Sequence, residues 1–224
     1  KNGYTIPQLY FAVVIFLIML YFIIEKYFIE KFRRKKVLST FKKYVAPQIV
    51  DKLAKEGNFE LKLGGEKRHV AVLFVDIRGF TPMSENLAPE EVVSILNEYL
   101  ALTTSSILEN EGTLDKFIGD ATMAVFNAPF DLDDYVYRAI LTAIAIRNGS
   151  EELAKRLQDK FGKTISYGIG VNVGDAVVGN IGCEFRMDYT AIGDTVNTAA
   201  RLESRAKAGE ILISDAVYET VRER

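Results

Sequence analysis

The sequence is short of the residues that build disulfides and soft-metal sites. Among 224 residues there is one cysteine, Cys183, one histidine, His69, and no tryptophan. A lone cysteine excludes an internal disulfide and any multi-cysteine metal site. A lone histidine beside Arg68 leaves no histidine cluster to ligate or catalyse, and reads as a surface residue. Any metal held here must therefore meet oxygen, which favours magnesium or manganese over zinc. Charge of one sign is not in excess either. With 28 basic and 30 acidic side chains the formal net charge is -2, so no broad electrostatic pull toward nucleic acid is expected.

What is present begins with an apolar run. Ile6 to Ile24 contains no charge, and only Pro7 and Gln8 interrupt it, which is long enough for a transmembrane helix. Tyr4, Tyr10, Tyr21 and Tyr27 lie near its two ends, where aromatic belts sit at membrane interfaces, and Arg33-Arg34-Lys35-Lys36 follow. The positive-inside rule then places the C-terminal side in the cytoplasm, with the chain anchored in the plasma membrane. A signal peptide has the reverse order of charge and small residues. Residues 1–30 are accordingly read as the transmembrane segment.

Residues 31–66 are read as a helical linker. Leu38, Phe41, Val45, Ile49 and Leu53 form a stripe that one isolated helix cannot bury, and a parallel contact with a second copy would cover it. Pro47 is expected to break the segment in two. Gly57 to Lys67 is polar and glycine-bearing, a connector that sets the boundary with a domain over 67–224.

That domain is organised around two aspartates. Val70 to Asp76 is a nearly continuous apolar run ending in a carboxylate, and Leu114 to Phe126 reads as a hairpin turning at Gly119-Asp120. Strands that are neighbours in sequence tend to pair, so Asp76 and Asp120 are expected at one sheet edge, an arrangement suited to divalent metals. Each Asp taken alone is equally consistent with a turn cap.

Pro89 to Asn110 is predicted as a helix with Val92, Val93, Leu96, Tyr99, Leu100, Thr103 and Ile107 on one face. A second helix is predicted over Asp133 to Phe161. Ile165 to Val173 reads as a strand broken up by Gly168, Gly170 and Gly174, with further strands at Ala176 to Ile181 and Met187 to Ile192. This order is α+β and ferredoxin-like, an antiparallel sheet with helices on one face and the other face or an edge open.

Four separated motifs resemble the catalytic domain of the class III adenylate and guanylate cyclases. They are Phe74-Val-Asp-Ile-Arg-Gly-Phe-Thr81, Lys116-Phe-Ile-Gly-Asp120, Gly168-Ile-Gly-Val-Asn-Val-Gly174, and Asp188-Tyr-Thr-Ala-Ile-Gly-Asp-Thr-Val-Asn197 with Arg201. They come in the family's order, and the likeness covers about Val45 to Arg224.

The resemblance implies that ATP is converted to 3′,5′-cyclic AMP and pyrophosphate. Asp76, Asp120 and the backbone carbonyl of Ile77 would hold two Mg²⁺ or Mn²⁺ ions per site, and the amides of Gly79, Phe80 and Thr81 would meet the phosphates. Lys116 and Thr190 would read adenine, Lys116 as a donor and Thr190 as an acceptor. A guanylate cyclase is expected to carry Glu at the first of these positions. Asn197 would orient the ribose, Arg201 would stabilise charge on the α-phosphate, and Arg186 would bind terminal phosphates. The helix bearing Asn197 and Arg201 is expected to be capped by Asp194 or Thr195.

In this family the acidic pair and the base-reading set lie on opposite subunits, so the resemblance also implies a homodimer with two active sites at its interface. The family continues with a hairpin bearing a phosphate-binding lysine, which would lie beyond Arg224, so the domain is expected to be incomplete here. Without the motifs, Lys116 would read as a solvated residue paired with Asp115 or Asp120, and Arg201 as a partner of Glu203. A non-catalytic nucleotide-binding or dimerisation domain, and a guanylate cyclase, are the alternatives.

Overall fold

The computed structural model describes residues 6–41, 48–50 and 63–224. The chain divides into two compact units, Lys1–Val50 and Asp51–Arg224.

In the first unit, α1 (Ile6–Phe41) is one uninterrupted helix of 36 residues. Pro7 falls in its first turn, where the missing amide proton costs no hydrogen bond. Tyr10–Arg33 has a mean hydropathy of 2.3 and none of it is buried. Among the described residues it is the one helix long and apolar enough to cross a membrane. The helix runs on well past Ile24, through the basic cluster. Of the linker stripe only the Ile49 side chain is described, and it is buried. The side chains of Leu38 and Phe41, along with Val45, Pro47 and Leu53, lie outside the described residues.

The second unit contains β1 (Gly64–Arg78), α2 (Phe80–Ser84), α3 (Pro89–Glu109), β2 (Thr113–Ile118), β3 (Ala121–Phe126), α4 (Tyr135–Phe161), β4 (Ser166–Cys183), β5 (Arg186–Ile192), α5 (Asp194–Arg205), β6 (Glu210–Ile213) and α6 (Asp215–Val221). The sheet order is β2-β3-β1-β4-β5, with β6 added to β4. All pairs are antiparallel except β4 with β6. The first four strands thus take the ferredoxin-like order.

β1 is apolar along its centre because both of its faces are covered. Ala71, Leu73, Val75 and Ile77 pack with Ile95, Tyr99 and Ile107 of α3 and Ala139, Ala143 and Ile146 of α4. Val70, Val72 and Phe74 pack on the opposite side with Met123, Val125, Ala176, Val178, Ala191 and Ala199.

Several expectations change. β1 starts at Gly64, inside the stretch read as a connector, because Gly64 to Lys67 pair with Val177 to Asn180. On α3 the inward stripe is Ile95, Tyr99, Thr103 and Ile107, whereas Val93 is 55% exposed. Ile165 to Val173 and Ala176 to Ile181 are not two strands but parts of the single β4.

The glycines of β4 do not break it; they let α5 lie directly on it. A Cβ at Gly170 would run into the backbone of Ala199 and Glu203, and one at Gly174 would come within 2.8 Å of the Thr195 hydroxyl. Gly170 pairs with Phe74, so α5 sits on the face away from α3 and α4. That second face, expected to be open, therefore carries a helix. The short β6 and α6 were not foreseen; Glu210 to Ile213 are too few to show an alternating pattern.

Candidate active site

β1 delivers Asp76 at the end of its buried run, and the β2–β3 hairpin delivers Asp120 in its turn. Ile118 pairs with Ala121, so Gly119 and Asp120 form a two-residue loop, with Gly119 at φ 65°. Val75 pairs with Thr122, which places the tip of the hairpin beside Asp76.

The Asp120 carboxyl group lies close enough to act on the ionisation of Asp76. Burial, hydrogen bonding with Asp120, and the negative charges of Asp120 and Glu203 push the Asp76 pKa from 3.8 up to about 7, against the pull of Arg78. Two facing carboxylates cannot both ionise cheaply, so Asp76 keeps its proton to a higher pH than an ordinary aspartate. A divalent cation would satisfy the same oxygens better, and the donor set, all oxygen, suits Mg²⁺ or Mn²⁺. Among the described residues no group of three or more His, Cys, Asp or Glu side chains forms a closed cage. Any cation here would draw its remaining ligands from backbone, water or substrate.

Arg78 ties this corner together. Its Nη1 lies 3.5 Å from Asp76 Oδ2 and its Nη2 2.6 Å from Glu203 Oε1. It also donates from Nε to the Ala206 carbonyl at 2.9 Å and from Nη2 to the Glu203 carbonyl. The guanidinium passes over Gly168, where a Cβ would collide with it. Arg78 thus binds the C-terminal end of α5 to the acidic pair. Ile77 keeps its side chain in the core and donates its backbone N–H to Asp76 Oδ1 at 3.0 Å. Gly79 follows at φ 72°, a left-handed turn that starts α2, so Phe80 and Thr81 occupy a helix N-terminus directly after the strand.

A second polar cluster forms where β5 curls back toward β2. These strands sit at opposite ends of the sheet order, yet Thr190 Oγ1 donates to Asp115 Oδ2 at 2.8 Å and Ala191 N–H to the same carboxylate at 3.2 Å. Lys116 Nζ stands 3.4 Å from Asp115 Oδ1. The Asp115 side chain is only 3% exposed, and burial raises its pKa while Thr190, Lys116 and the Ala191 amide pull it back. Lys116 and Thr190 are thus brought together, by a residue that the sequence reading treated only as a partner for Lys116.

Asn197 and Arg201 share the exposed face of α5, one turn apart. Ala199 and Glu203, on the other face, are buried. Glu203 pairs with Arg78 rather than standing as the counter-charge of Arg201. Neither expected cap is made. Gly193 occupies the capping position, Asp194 is already helical, and the Thr195 hydroxyl donates to the Asp175 carbonyl at 2.6 Å. Arg186 opens β5 and is exposed, next to Phe185, which is 96% exposed at the β4–β5 tip.

The leading charges acting on Asp76 are those of Asp120, Glu203 and Arg78. One chain carries this acidic corner, the Asp115–Lys116–Thr190 cluster and an outward Asn197–Arg201 pair. Arg78 had no role assigned from the sequence, and Glu203 and Asp115 had only those of counter-charges to Arg201 and Lys116. The available signal was a charged residue inside an otherwise apolar strand or helix face, which calls for a buried partner.

Comparison with known proteins points to one family. Residues 65–224 match the family model described as the adenylate and guanylate cyclase catalytic domain. An adenylate cyclase of Anabaena cylindrica is 37% identical over 186 residues, 82% of this chain and 37% of that protein. An uncharacterised protein of Mycobacterium tuberculosis is 36% identical over 197 residues, 85% of this chain and 34% of that protein. The chain thus spans little more than a third of the length of these curated relatives. Among solved structures, the adenylyl cyclase CyaB from P. aeruginosa superposes with a TM-score of 0.70 at 38% identity, over 72% of this chain and 84% of that one. The guanylyl cyclase Cya2 does so with 0.67 at 38% identity, over 70% and 80%. Relatives of both base preferences are equally similar, so overall likeness does not choose the base.

Proposed function

Because the chain belongs to the family of adenylate and guanylate cyclase catalytic domains, we propose that it is an adenylate cyclase, forming 3′,5′-cyclic AMP and pyrophosphate from ATP at sites shared between two copies. The carrying observation is the Asp76–Asp120 pair, two carboxyl groups competing for one proton at the end of a rigid strand. Bound Mg²⁺ or Mn²⁺, two per site, would lower the pKa of the ribose 3′-hydroxyl and neutralise the triphosphate. Asp76 and Asp120 supply the carboxylates for this, with the Ile77 carbonyl beside them. The amides of Gly79, Phe80 and Thr81 face the phosphates.

The 3′-oxygen attacks the α-phosphorus as the bond to the β-phosphate's bridging oxygen breaks. Asn197 holds the ribose, Arg201 meets the charge that builds on the α-phosphoryl oxygens, and Arg186 holds the outer phosphates. Lys116 donates to adenine N1, which in guanine is a donor itself.

Helix geometry supports the second copy. Glu203 faces Arg78 and the acidic pair, and Arg201, two residues earlier, is rotated about 200° around α5 from it. Arg201 therefore points away from its own chain's carboxylates, toward a site that a partner would complete. The exposed Phe117, Ile118 and Phe185 add apolar surface for that contact. We assign residues 1–30 to a membrane anchor, 31–66 to a linker that orients the two catalytic units, and 67–224 to the catalytic unit on the cytoplasmic side. One apolar helix and the basic residues 33–36 support the anchor.

The test is production of cyclic AMP from ATP with Mn²⁺, beside the same reaction with GTP. Product from ATP that is lost in Asp76→Ala supports the reading. Product from GTP alone would make the protein a guanylate cyclase, and background product from wild type and variant alike would make it a non-catalytic domain.

A further inference from the structure

Asp115 is the most deeply placed member of the base-facing cluster, and every neighbour it has there is a donor. Thr190 Oγ1 reaches both of its oxygens, at 2.9 and 2.8 Å; the Ala191 N–H reaches Oδ2 at 3.2 Å; and Lys116 Nζ stands 3.4 Å from Oδ1. A carboxylate accepts and does not donate, whereas a hydroxyl has one proton and two lone pairs. The single proton of Thr190 is therefore committed to Asp115, and what the hydroxyl has left to offer is a lone pair.

We propose that Asp115 is the positioning residue for base preference: by taking the Thr190 proton it turns that hydroxyl into an acceptor, matched to the 6-amino group of adenine and opposed to the 6-oxygen of guanine. This rests on the reading above, in which Lys116 and Thr190 face the base. Adenine offers a donor at position 6 where guanine offers an acceptor. With Lys116 able only to donate, the pair presents one donor and one acceptor, the complement of adenine's edge. Guanine would meet it with acceptor against acceptor and donor against donor. Asp115 also holds Lys116 beside Thr190, so one buried carboxylate aligns both contacts. Were Asp115 an amide, its NH₂ could donate to Thr190, and the freed hydroxyl proton could turn toward guanine.

The experiment is a calorimetric titration of the whole chain in lipid nanodiscs with Mn²⁺ and the α,β-methylene analogues of ATP and GTP, which bind without being cyclised. The wild type should favour the adenine analogue. Asp115→Asn should reduce the ratio of the two dissociation constants about tenfold, the effect of one hydrogen bond changing sense. Thr190→Val should do the same, and the double variant should lose no more than either single one. Equal changes in both affinities, or an unchanged ratio, would overturn the proposal.

If Asp115→Asn does not fold, a wild-type measurement decides. A 6-methoxypurine analogue keeps N1 as an acceptor but offers only oxygen at position 6, and it should bind about tenfold more weakly than the adenine analogue. Equal binding would overturn the proposal. The predicted ratios without any cyclic AMP formation would sink the cyclase reading and leave the role of Asp115 standing. Failure of the wild type to bind either nucleotide would sink both.

Discussion

Asp76 and Asp115 are two carboxyl groups drawn out of water, both with raised pKa and burial as the leading cause, and they do opposite work. Around Asp115 every polar neighbour donates: a hydroxyl, a backbone amide and an ammonium. Around Asp76 another carboxyl group and a third acid act on it, and the cation that offsets them, Arg78, is 3.5 Å away and shared with Glu203. A carboxylate saturated with donors is finished and can orient others. One facing its own kind has uncancelled charge, which a cation or a proton must meet. The balance of donors, not burial, separates the two carboxyl groups.

The sharpest way to break this comparison is to remove each carboxylate. Asp76→Ala should lower cyclic AMP formation about a thousandfold, the rate equivalent of several kcal/mol of lost charge stabilisation. In thermal unfolding without divalent cations at about pH 8, where both carboxylates are ionised, it should not destabilise the fold, since it removes repulsion. A lower melting temperature for Asp76→Ala would contradict the account of that corner.

Arg78→Ala should be the most damaging change to the fold itself. It strips the counter-charge from Glu203, which is 7% exposed, and breaks the ties to the Glu203 and Ala206 carbonyls. Leaving a buried acid unpaired costs about 3 to 5 kcal/mol. If denaturant unfolding finds a loss below about 1 kcal/mol, Arg78 does not bind α5 to the acidic pair. Asp115→Ala comes next, at about 2 kcal/mol, because it leaves the Thr190 hydroxyl and the Ala191 amide without their acceptor. Opposite signs for Asp76→Ala and Asp115→Ala, read in the same unfolding assay, are the comparison in its most compact form.

The acidic pair was legible in the sequence because both of its parts are local. An apolar run ending in Asp76 and a Gly-Asp turn each announce themselves, and neighbouring strands pair. The Asp115–Thr190 contact was not legible, since it joins strands at the two ends of the sheet order, 75 residues apart, and depends on how far the sheet curls. The glycines of β4 misled for a related reason. A glycine in a strand reads as a break, but Gly170 is there for the backbone of α5, an element that a one-dimensional pattern cannot place above it. The helical spacing also placed Val93 on the buried face of α3, where Ile95 takes the inward position and Val93, two residues earlier, is turned about 200° from it.

The smallest expected effect tests the acidic pair without touching a residue. Asp76 in the folded chain holds its proton up to about 7, whereas an ordinary aspartate releases it near 3.8. Between those values the folded state binds a proton that the unfolded chain has lost, so stability must fall as pH rises through the window. In the presence of a chelator, the melting temperature should therefore drop by a few degrees between about pH 5 and pH 8. Adding Mn²⁺ at the upper end should restore it, because a divalent cation binds the ionised pair and not the unfolded chain. Asp120→Asn removes the facing charge but leaves burial and Glu203 in place, so it should shrink the slope and abolish the rescue. If the slope were unchanged in that variant, Asp120 would not act on Asp76, and the contrast between the two carboxylates would lose its basis.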